Sequence, residues 1–217
     1  MIKAVIFDLD GTLVDSLSSI AYFANSALAH YNYPPIPLEK YRYLVGRGAD
    51  NLVKGMLEVV GDNTQEAFDN VYPFYNKSYD NNFMYLTTAY SGIPELLDTL
   101  KQHGIKLGVL SNKPHNTTVK IVNELFQDKI DICYGKREET PRKPDPTALH
   151  NMLSELNVKK EECVYVGDTS TDMQTGKNAN VFTIGVTWGF RDKQELIEHH
   201  ADLVVDYPSE IANYILG

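Results

Sequence analysis

The stretch Ile2-Lys3-Ala4-Val5-Ile6-Phe7-Asp8-Leu9-Asp10-Gly11-Thr12 begins with an apolar run and ends in a turn that carries two acidic residues. Short apolar runs that lead into or out of polar segments recur along the chain. They are Lys106 to Leu110, Ile130 to Tyr134, Cys163 to Val166, Val181 to Val186 and Asp202 to Val205. Such continuous apolar runs are typical of strands that are buried on both faces of a parallel sheet.

Helical patterns separate these runs. The segment Ile93 to His103 has Pro94 near its start, an apolar stripe along one face and Gly104 as a stop signal. The other helices predicted in this part are Pro114 to Phe126, Asp145 to Leu156, Asp172 to Ala179 and Gln194 to His199. Alternating strands and helices predict βαβ units and a doubly wound α/β fold. In such a sheet the ligand site lies beyond the carboxyl ends of the strands.

Residues 15–85 interrupt this alternation, because they contain no run that is typical of a buried strand. The helices predicted here are Leu17 to Tyr31, Asp50 to Val60 and Gln65 to Asn81. We therefore expect a core formed by residues 1–14 and 86–217, with residues 15–85 inserted after the first strand as an α-helical unit. Its nine tyrosines are expected to serve in packing rather than as a platform for stacking bases.

The 217-residue chain has a formal net charge of −9. Nucleic acids and anionic membranes need clustered Lys and Arg, so the acidic balance argues against both partners. The two cysteines, Cys133 and Cys163, lie in apolar contexts without C-x-x-C spacing, which predicts reduced, buried thiols. No apolar segment is long enough for a signal peptide or a membrane span, which predicts a cytoplasmic protein. The oligomeric state stays open, with a dimer contact through the tyrosine-rich insert as one alternative.

Two pairs of acidic residues follow predicted strands. Asp8 and Asp10 are at alternate positions, which directs both side chains to one side if strand geometry continues. Burying two carboxylates together is costly unless a cation or a proton compensates. Asp168 and Asp172 can face the same pocket across a strand-to-helix turn. Carboxylates of Asp8 and Asp168, with a backbone carbonyl and water, would suit Mg²⁺. The alternatives are an acidic turn around Gly11 and a capped helix start.

Two further motifs offer groups that can bind a phosphate. Ser111 and Asn112 follow a strand at a predicted helix start, where a hydroxyl and backbone N–H groups can hold a phosphate or merely cap the helix. Lys143 precedes Pro144 at a helix entrance and can neutralise charge on a nucleophile and a phosphate, a plain surface lysine being the alternative. Together the motifs indicate that a carboxylate attacks phosphorus while a second carboxyl group moves the proton.

In this order the motifs resemble those of the haloacid dehalogenase-like hydrolase superfamily, and the resemblance spans nearly the whole chain. It implies a Rossmann-like core and a phosphoryl-aspartate mechanism that uses Mg²⁺. The implied metal ligands are Asp8, the backbone carbonyl of Asp10, Asp168 and, directly or through water, Asp172.

The same resemblance assigns the catalytic residues. Asp8 is implied as the nucleophile and Asp10 as the acid and base. Ser111 and Lys143 are implied to hold the phosphoryl group.

The helical insert resembles the small α-helical cap of this superfamily. Its stretch Leu44-Val45-Gly46-Arg47-Gly48-Ala49-Asp50 resembles the cap loop of phosphoglycolate phosphatases, which reaches over the active site and reads the substrate. This implies substrate contacts from Arg47 and Gly48, beside Thr12 and Asn112 of the core motifs. Arg47 departs from the small or polar residue that is common there, and two alternatives stay open: a contact with a second anion of the substrate, or a position in solvent.

The implied function is a phosphatase for a small phosphorylated metabolite. Phosphoglycolate is the first candidate, ahead of pyrophosphate, sugar phosphates and nucleotides. A β-phosphoglucomutase-like phosphotransferase shares the cap type and stays open. Dehalogenases of the superfamily lack an aspartate at the position of Asp10, and its presence here argues against dehalogenation. Phosphonoacetaldehyde hydrolase needs a lysine from the cap, for which Lys54 is the nearest candidate. A non-catalytic regulatory module would lose a motif residue such as Asp8 or Lys143, and both are present.

Overall fold

The apolar runs of the sequence form a six-stranded sheet in the computed structural model, which describes residues 1–217. The eight strands of the chain are β1 Ala4–Phe7, β2 Val14–Asp15, β3 Thr88–Ala89, β4 Lys106–Pro114, β5 Ile132–Lys136, β6 Cys163–Gly167, β7 Phe182–Val186 and β8 Leu203–Val205. The large sheet has the order β5-β4-β1-β6-β7-β8, and every neighbouring pair is parallel. The predicted α/β fold is confirmed.

Ten α-helices accompany the strands. They are α1 Leu17–His30, α2 Leu38–Leu44, α3 Ala49–Val60, α4 Gln65–Asp80, α5 Ile93–Gln102, α6 His115–Phe126, α7 Thr147–Leu156, α8 Ser170–Ala179, α9 Lys193–Glu198 and α10 Pro208–Leu216. No helix is both long enough and apolar enough to cross a membrane. Helices α2 and α10 were not predicted from the sequence. Both begin beside a proline, Pro37 and Pro208, which is read as a loop signal although it also suits the first turn of a helix.

Strand β1 lies at the centre of the sheet. Phe7 at its end is paired with Val109 of β4 on one side and with Val166 of β6 on the other. Successive side chains of β1 point alternately into two apolar clusters, one on each face of the sheet. Because the three strands are parallel, the residues that follow these paired positions emerge at the same edge of the sheet.

Strand β4 is longer than the sequence indicated. It was expected to end at Leu110, but it continues to Pro114, which pairs with Lys136 after a shift in register. The polar residues Ser111, Asn112 and Lys113 obscure this extension, because polar residues after an apolar run usually mark the end of a strand. The expected strand end at Leu110 is therefore wrong, whereas the helix predicted over Pro114 to Phe126 is confirmed as α6, which begins at His115.

Helices α1 to α4, residues 17–80, form a helical unit with its own apolar core. Tyr41 is fully buried there, and its hydroxyl donates a hydrogen bond to Asn25 Oδ1 over 2.8 Å. Three other tyrosines, Tyr22, Tyr43 and Tyr85, are about half exposed or more. The expectation that the tyrosines of this segment serve in packing therefore holds for Tyr41. It also holds in part for Tyr22 and Tyr85, whose rings contact Phe23 at 5.1 and 5.9 Å between centroids, while Tyr43 is 69% exposed.

The chain leaves and re-enters the sheet region through a short antiparallel pair of strands, β2 and β3. Val14 pairs with Ala89, and Asp15 pairs with Thr88. The two connections to the helical unit are therefore tied to each other. The expected boundary between residues 14 and 15 falls inside β2, and the division into residues 1–14 with 86–217 and an insert of 15–85 stays a prediction.

Candidate active site

The candidate site lies where the carboxyl ends of β1, β4 and β6 face the helical unit. A cavity of about 430 Å³ separates the two, and this volume is in the range of small-molecule sites. On the sheet side it is lined by the predicted residues Asp8, Asp10, Ser111, Asn112, Lys143 and Asp172. On the helical side it is lined by apolar and aromatic residues that include Ile20, Leu52, Tyr72, Tyr75 and Tyr79.

Lys143 is the central cation of the site. Its ammonium group donates hydrogen bonds to Asp8 Oδ1 over 2.6 Å, to Asp172 Oδ1 over 2.8 Å and to the Tyr165 hydroxyl over 3.1 Å. Burial acts to lower the pKa of Lys143, but the charges of Asp172 and Asp8 outweigh it and raise that pKa well above its usual value. The lysine therefore stays charged although it is only 5% exposed.

Asp8 is held by one oxygen only. Its Oδ1 accepts the hydrogen bond from Lys143, and its other carboxylate oxygen accepts none from the protein. Burial raises the pKa of Asp8 to about 7 although Lys143 works in the opposite direction, with Asp172 adding to the rise. An additional positive charge at this place would favour the ionised carboxylate.

Asp8, Asp168 and Asp172 form a buried acidic cluster, in which one carboxylate oxygen of each residue lies within 4.8 Å of those of the other two. Asp168 accepts hydrogen bonds from the Thr12 hydroxyl at 3.2 Å and from the Phe190 N–H at 2.7 Å. Burial, together with the charges of Asp172 and Asp8, nevertheless raises the pKa of Asp168 well above its usual value. The single ammonium group of Lys143 contacts only Asp8 and Asp172, so the charge of the three carboxylates is not fully compensated. The donor set therefore fits a hard divalent cation, which prefers oxygen ligands.

Both oxygens of Asp172 are already engaged by the protein. Oδ1 accepts from Lys143 and from the Tyr165 hydroxyl at 3.0 Å, and Oδ2 accepts from the backbone N–H and the hydroxyl of Thr169 at 3.1 and 2.7 Å. Asp172 thus fixes the start of α8 and anchors the lysine at the same time. This saturation favours a ligand role through water over direct coordination.

Asp10 lies outside the acidic cluster and has a different partner, Lys113. The Lys113 ammonium donates to both Asp10 oxygens at 2.9 and 3.0 Å, and the Ser16 hydroxyl donates to Oδ1 at 2.6 Å. Sequence reasoning gave Lys113 no role. The signal that could have found it is the extension of β4, because Ser111 and Lys113 occupy alternate positions of one strand and therefore face the same side.

Two expected substrate contacts, those of Thr12 and Asn112, need correction, and Arg47 lies in solvent, which was one of its two alternatives. The Thr12 side chain is fully buried outside the cavity lining, where its hydroxyl serves Asp168. The Arg47 side chain is exposed and also lies outside the lining, while Gly48 is part of it. Asn112 reaches the cavity, but both the oxygen and the nitrogen of its side-chain amide form hydrogen bonds with protein groups. Its oxygen accepts from the Lys143 N–H at 2.9 Å, and its NH₂ group donates to the carbonyls of Lys143 and Gly46 at 3.2 and 3.1 Å. Thr12 and Asn112 thus position other groups.

Polar contacts also join the helical unit to the sheet side of the cavity. Arg142, next to the central lysine, donates two hydrogen bonds to the Asp50 carboxylate at 2.9 and 3.0 Å. Arg42 of α2 donates to the carbonyls of Phe190 and Gly189 at 3.1 and 3.0 Å. The sequence gave no indication of these pairs, since their members are more than 90 residues apart. They hold the helical unit over the carboxyl ends of the strands.

Comparison with known proteins relates this site to a family. A sequence model of the haloacid dehalogenase-like hydrolase family matches residues 5–186. A phosphoglycolate phosphatase from Psychrobacter arcticus is 30% identical over 220 aligned positions, which cover 99% of this chain and 96% of the relative. An N-acetylmuramic acid 6-phosphate phosphatase from Pseudomonas aeruginosa is 27% identical over 216 positions, which cover 99% of this chain and 95% of the relative. A crystal structure from Lactobacillus delbrueckii subsp. bulgaricus, assigned there by inference as a phosphoglycolate phosphatase, matches with a TM-score of 0.93 and 30% identity and covers 99% of this chain and 98% of its own.

The closeness of Gly11 to Asp168 gives a test of how tightly the acidic cluster is built. Gly11 has φ +90°, and a Cβ there would lie 2.2 Å from Asp168 Oδ2. Gly61 has φ +85° with no atom within 4 Å of such a Cβ, so Gly61→Ala is a matched control for the backbone cost alone. We expect Gly11→Ala to lower the free energy of unfolding by about 1–3 kcal/mol more than Gly61→Ala, because only the former displaces a packed side chain. Urea denaturation of both variants measures the two free energies of unfolding. Equal losses of stability would show that the Asp168 side chain moves aside without cost.

Proposed function

Since the chain belongs to the haloacid dehalogenase-like hydrolase family, we propose that it is a Mg²⁺-dependent phosphatase of a small phosphate monoester and that phosphoglycolate is its first candidate substrate. The observation that carries this proposal is the free oxygen of Asp8, which lies beside Lys143 in an acidic cluster at the cavity. The named relatives support a phosphatase, and the one that acts on N-acetylmuramic acid 6-phosphate keeps sugar phosphates as the second candidate.

Asp8 is the nucleophile in this proposal. The hydrogen bond from Lys143 fixes its Oδ1, which leaves the second oxygen free to attack the phosphorus in line with the ester bond. A bond forms between that oxygen and phosphorus while the ester P–O bond breaks, and the product is a phosphoryl-aspartate. The central lysine also balances charge on the phosphoryl oxygens, and Ser111 of β4 lines the same cavity.

Asp10 moves the proton. Its carboxyl group gives a proton to the leaving oxygen, so that an alcohol departs rather than an alkoxide. The resulting carboxylate then takes a proton from a water molecule, whose oxygen attacks the phosphorus. This second attack releases inorganic phosphate and restores Asp8 as a carboxylate. The Ser16 hydroxyl and the Lys113 ammonium hold Asp10 at the cavity for both transfers.

The acidic cluster would hold the cation, with Asp8 and Asp168 as carboxylate ligands, Asp10 through its backbone carbonyl and Asp172 through water. A bound Mg²⁺ would stabilise the negative charge that the phosphoryl group develops in the transition state. Asp168 is prepared for this role by Thr12 and the Phe190 N–H, which fix its orientation.

The enclosed cavity favours a small metabolite. Residues 15–85 act in this proposal as a cap that covers the substrate, and the contacts of Arg142 and Arg42 hold it in place. A cap of this kind excludes water other than the one that reacts. We also propose a cytoplasmic location, where such metabolites are produced.

Phosphate release from a panel of small phosphates tests the proposal. The panel contains phosphoglycolate, pyrophosphate, glucose phosphates, N-acetylmuramic acid 6-phosphate and nucleotides, each with Mg²⁺ and with EDTA. We expect release that needs Mg²⁺ and favours phosphoglycolate. Interconversion of glucose phosphates without net release of phosphate would indicate a phosphotransferase rather than a phosphatase. No reaction with any compound would favour a non-catalytic module.

Removing the nucleophile gives the first mutational prediction. Asp8→Asn is expected to abolish turnover. It should also abolish the mass increase by one phosphoryl group after acid quench, because an amide cannot form the phosphoryl-aspartate. The fold should persist, since Lys143 keeps its hydrogen bond to Asp172. Mass spectrometry after acid quench and thermal melting measure the two effects. Asp98→Asn, at a partly exposed carboxylate of α5, is the matched control. Normal turnover in Asp8→Asn would disprove the mechanism.

The role of Asp10 predicts a dependence on the leaving group. Asp10→Asn is expected to slow hydrolysis of alkyl phosphates by about 10²–10⁴-fold, because an alkoxide needs a proton to leave. p-Nitrophenyl phosphate should lose much less, since p-nitrophenolate leaves without one. Steady-state kinetics with both substrates separate the effects. An equal loss on both would assign Asp10 a structural role instead.

A further inference from the structure

The hydroxyl group of Tyr165 is buried at the site but has no part in the reaction described above. Tyr165 lies on β6, is completely buried, and packs in the apolar cluster that also contains Ile6, its pairing partner on β1. It does not line the cavity. A phenylalanine would fill the same apolar site without the cost of taking a hydroxyl out of water. The hydroxyl therefore needs an explanation other than packing.

The direction of each hydrogen bond around this hydroxyl follows from the groups involved. A lysine ammonium can only donate, and a tyrosine hydroxyl has a single hydrogen to give. The hydroxyl therefore accepts from Lys143 over 3.1 Å and donates to Asp172 Oδ1 over 3.0 Å. Because Lys143 also donates to that Oδ1 over 2.8 Å, the nitrogen and the two oxygens form a closed triangle. Each of the three groups is thus held by the other two.

The triangle completes the set of acceptors around Lys143. Its ammonium group has three N–H donors, and they are matched by Asp172, Tyr165 and Asp8, the last over 2.6 Å. The three acceptors come from separate elements, since Asp8 follows β1, Tyr165 belongs to β6 and Asp172 belongs to α8. Two acceptors alone would let the nitrogen swing about the line that joins them, whereas the third fixes its position. Charge does not supply this constraint, because Coulomb attraction depends on distance and not on direction.

We propose that Tyr165 is a positioning residue of phosphoryl transfer, which acts by fixing the ammonium group of Lys143 beside Asp8. This inference rests on the proposed function, in which Lys143 orients the nucleophile and balances charge on the phosphoryl oxygens. Without the hydroxyl, one N–H of Lys143 loses its acceptor, so the ammonium group can move away from the place where it stabilises the transition state. The cavity lining is unchanged, since Tyr165 is not part of it. The hydroxyl should therefore matter for the rate of phosphoryl transfer and hardly for affinity.

Tyr165→Phe tests this assignment, because it removes only the hydroxyl. The measurement is single-turnover hydrolysis of p-nitrophenyl phosphate with Mg²⁺ and an excess of enzyme. p-Nitrophenolate leaves without a proton from Asp10, so its release reports the attack by Asp8 directly. We expect the rate constant at saturating enzyme to fall by about tenfold or more, because a small displacement of a catalytic group costs up to about a hundredfold in rate. The enzyme concentration that gives half of this rate should stay within about twofold of the wild-type value, because binding of the substrate is unchanged.

Tyr134→Phe is the matched control. It removes a tyrosine hydroxyl on β5 of the same sheet, which donates to Glu155 Oε2 over 2.7 Å and lies outside the lining of the cavity. This variant should keep the wild-type rate constant and the wild-type half-saturating concentration.

The two readouts separate positioning from a purely structural role. A structural defect lowers the fraction of folded enzyme, which raises the half-saturating concentration and leaves the rate constant at saturation unchanged. That result, a Tyr165→Phe protein without a melting transition, or wild-type kinetics in Tyr165→Phe would each overturn this inference alone. If the ester is no substrate, a phosphate of the panel that the wild-type protein hydrolyses replaces it. Wild-type protein that hydrolyses none of these compounds would overturn the proposed function and this inference with it.

Discussion

The site depends on one buried ammonium group shared between two carboxylates. Lys143 joins Asp8 at the end of β1 to Asp172 at the start of α8, and its side chain is almost inaccessible to solvent. Removing one partner of a buried ion pair costs about 3–5 kcal/mol, because the other charge stays buried without compensation. The arrangement therefore fixes the distance between strand and helix as well as the orientation of the nucleophile.

The same arrangement leaves a charge imbalance that gives the site its chemistry. Three buried carboxylates, Asp8, Asp168 and Asp172, lie together with one lysine that contacts only Asp8 and Asp172, and burial makes their mutual repulsion stronger than it would be in water. A divalent cation would bring an ionised cluster to neutrality. The residues that orient the cluster, Thr12 and Thr169, are bound to its oxygens, so the protein holds the cluster in place by hydrogen bonds rather than by charge alone.

The sequence predicted the sheet and the acidic residues well because both depend on local patterns. A continuous apolar run predicts a buried parallel strand, and an aspartate after such a run lies at the carboxyl edge wherever the strand is placed. Lys113 was missed because the polar residues beside it obscure the continuation of β4 to Pro114, which places Lys113 at the cavity. The ion pair of Arg142 and Asp50 was missed for a different reason, since no local pattern records which helix of the insert will face which loop of the core.

The helical unit differs from the core in what its residues must do. Core side chains such as Lys143 are constrained by several partners at once, so their identities follow from the reaction. The helical unit, in contrast, lines the cavity with aromatic side chains such as Tyr72, Tyr75 and Tyr79. Selectivity for the substrate can therefore reside in the helical unit while the chemistry stays in the sheet.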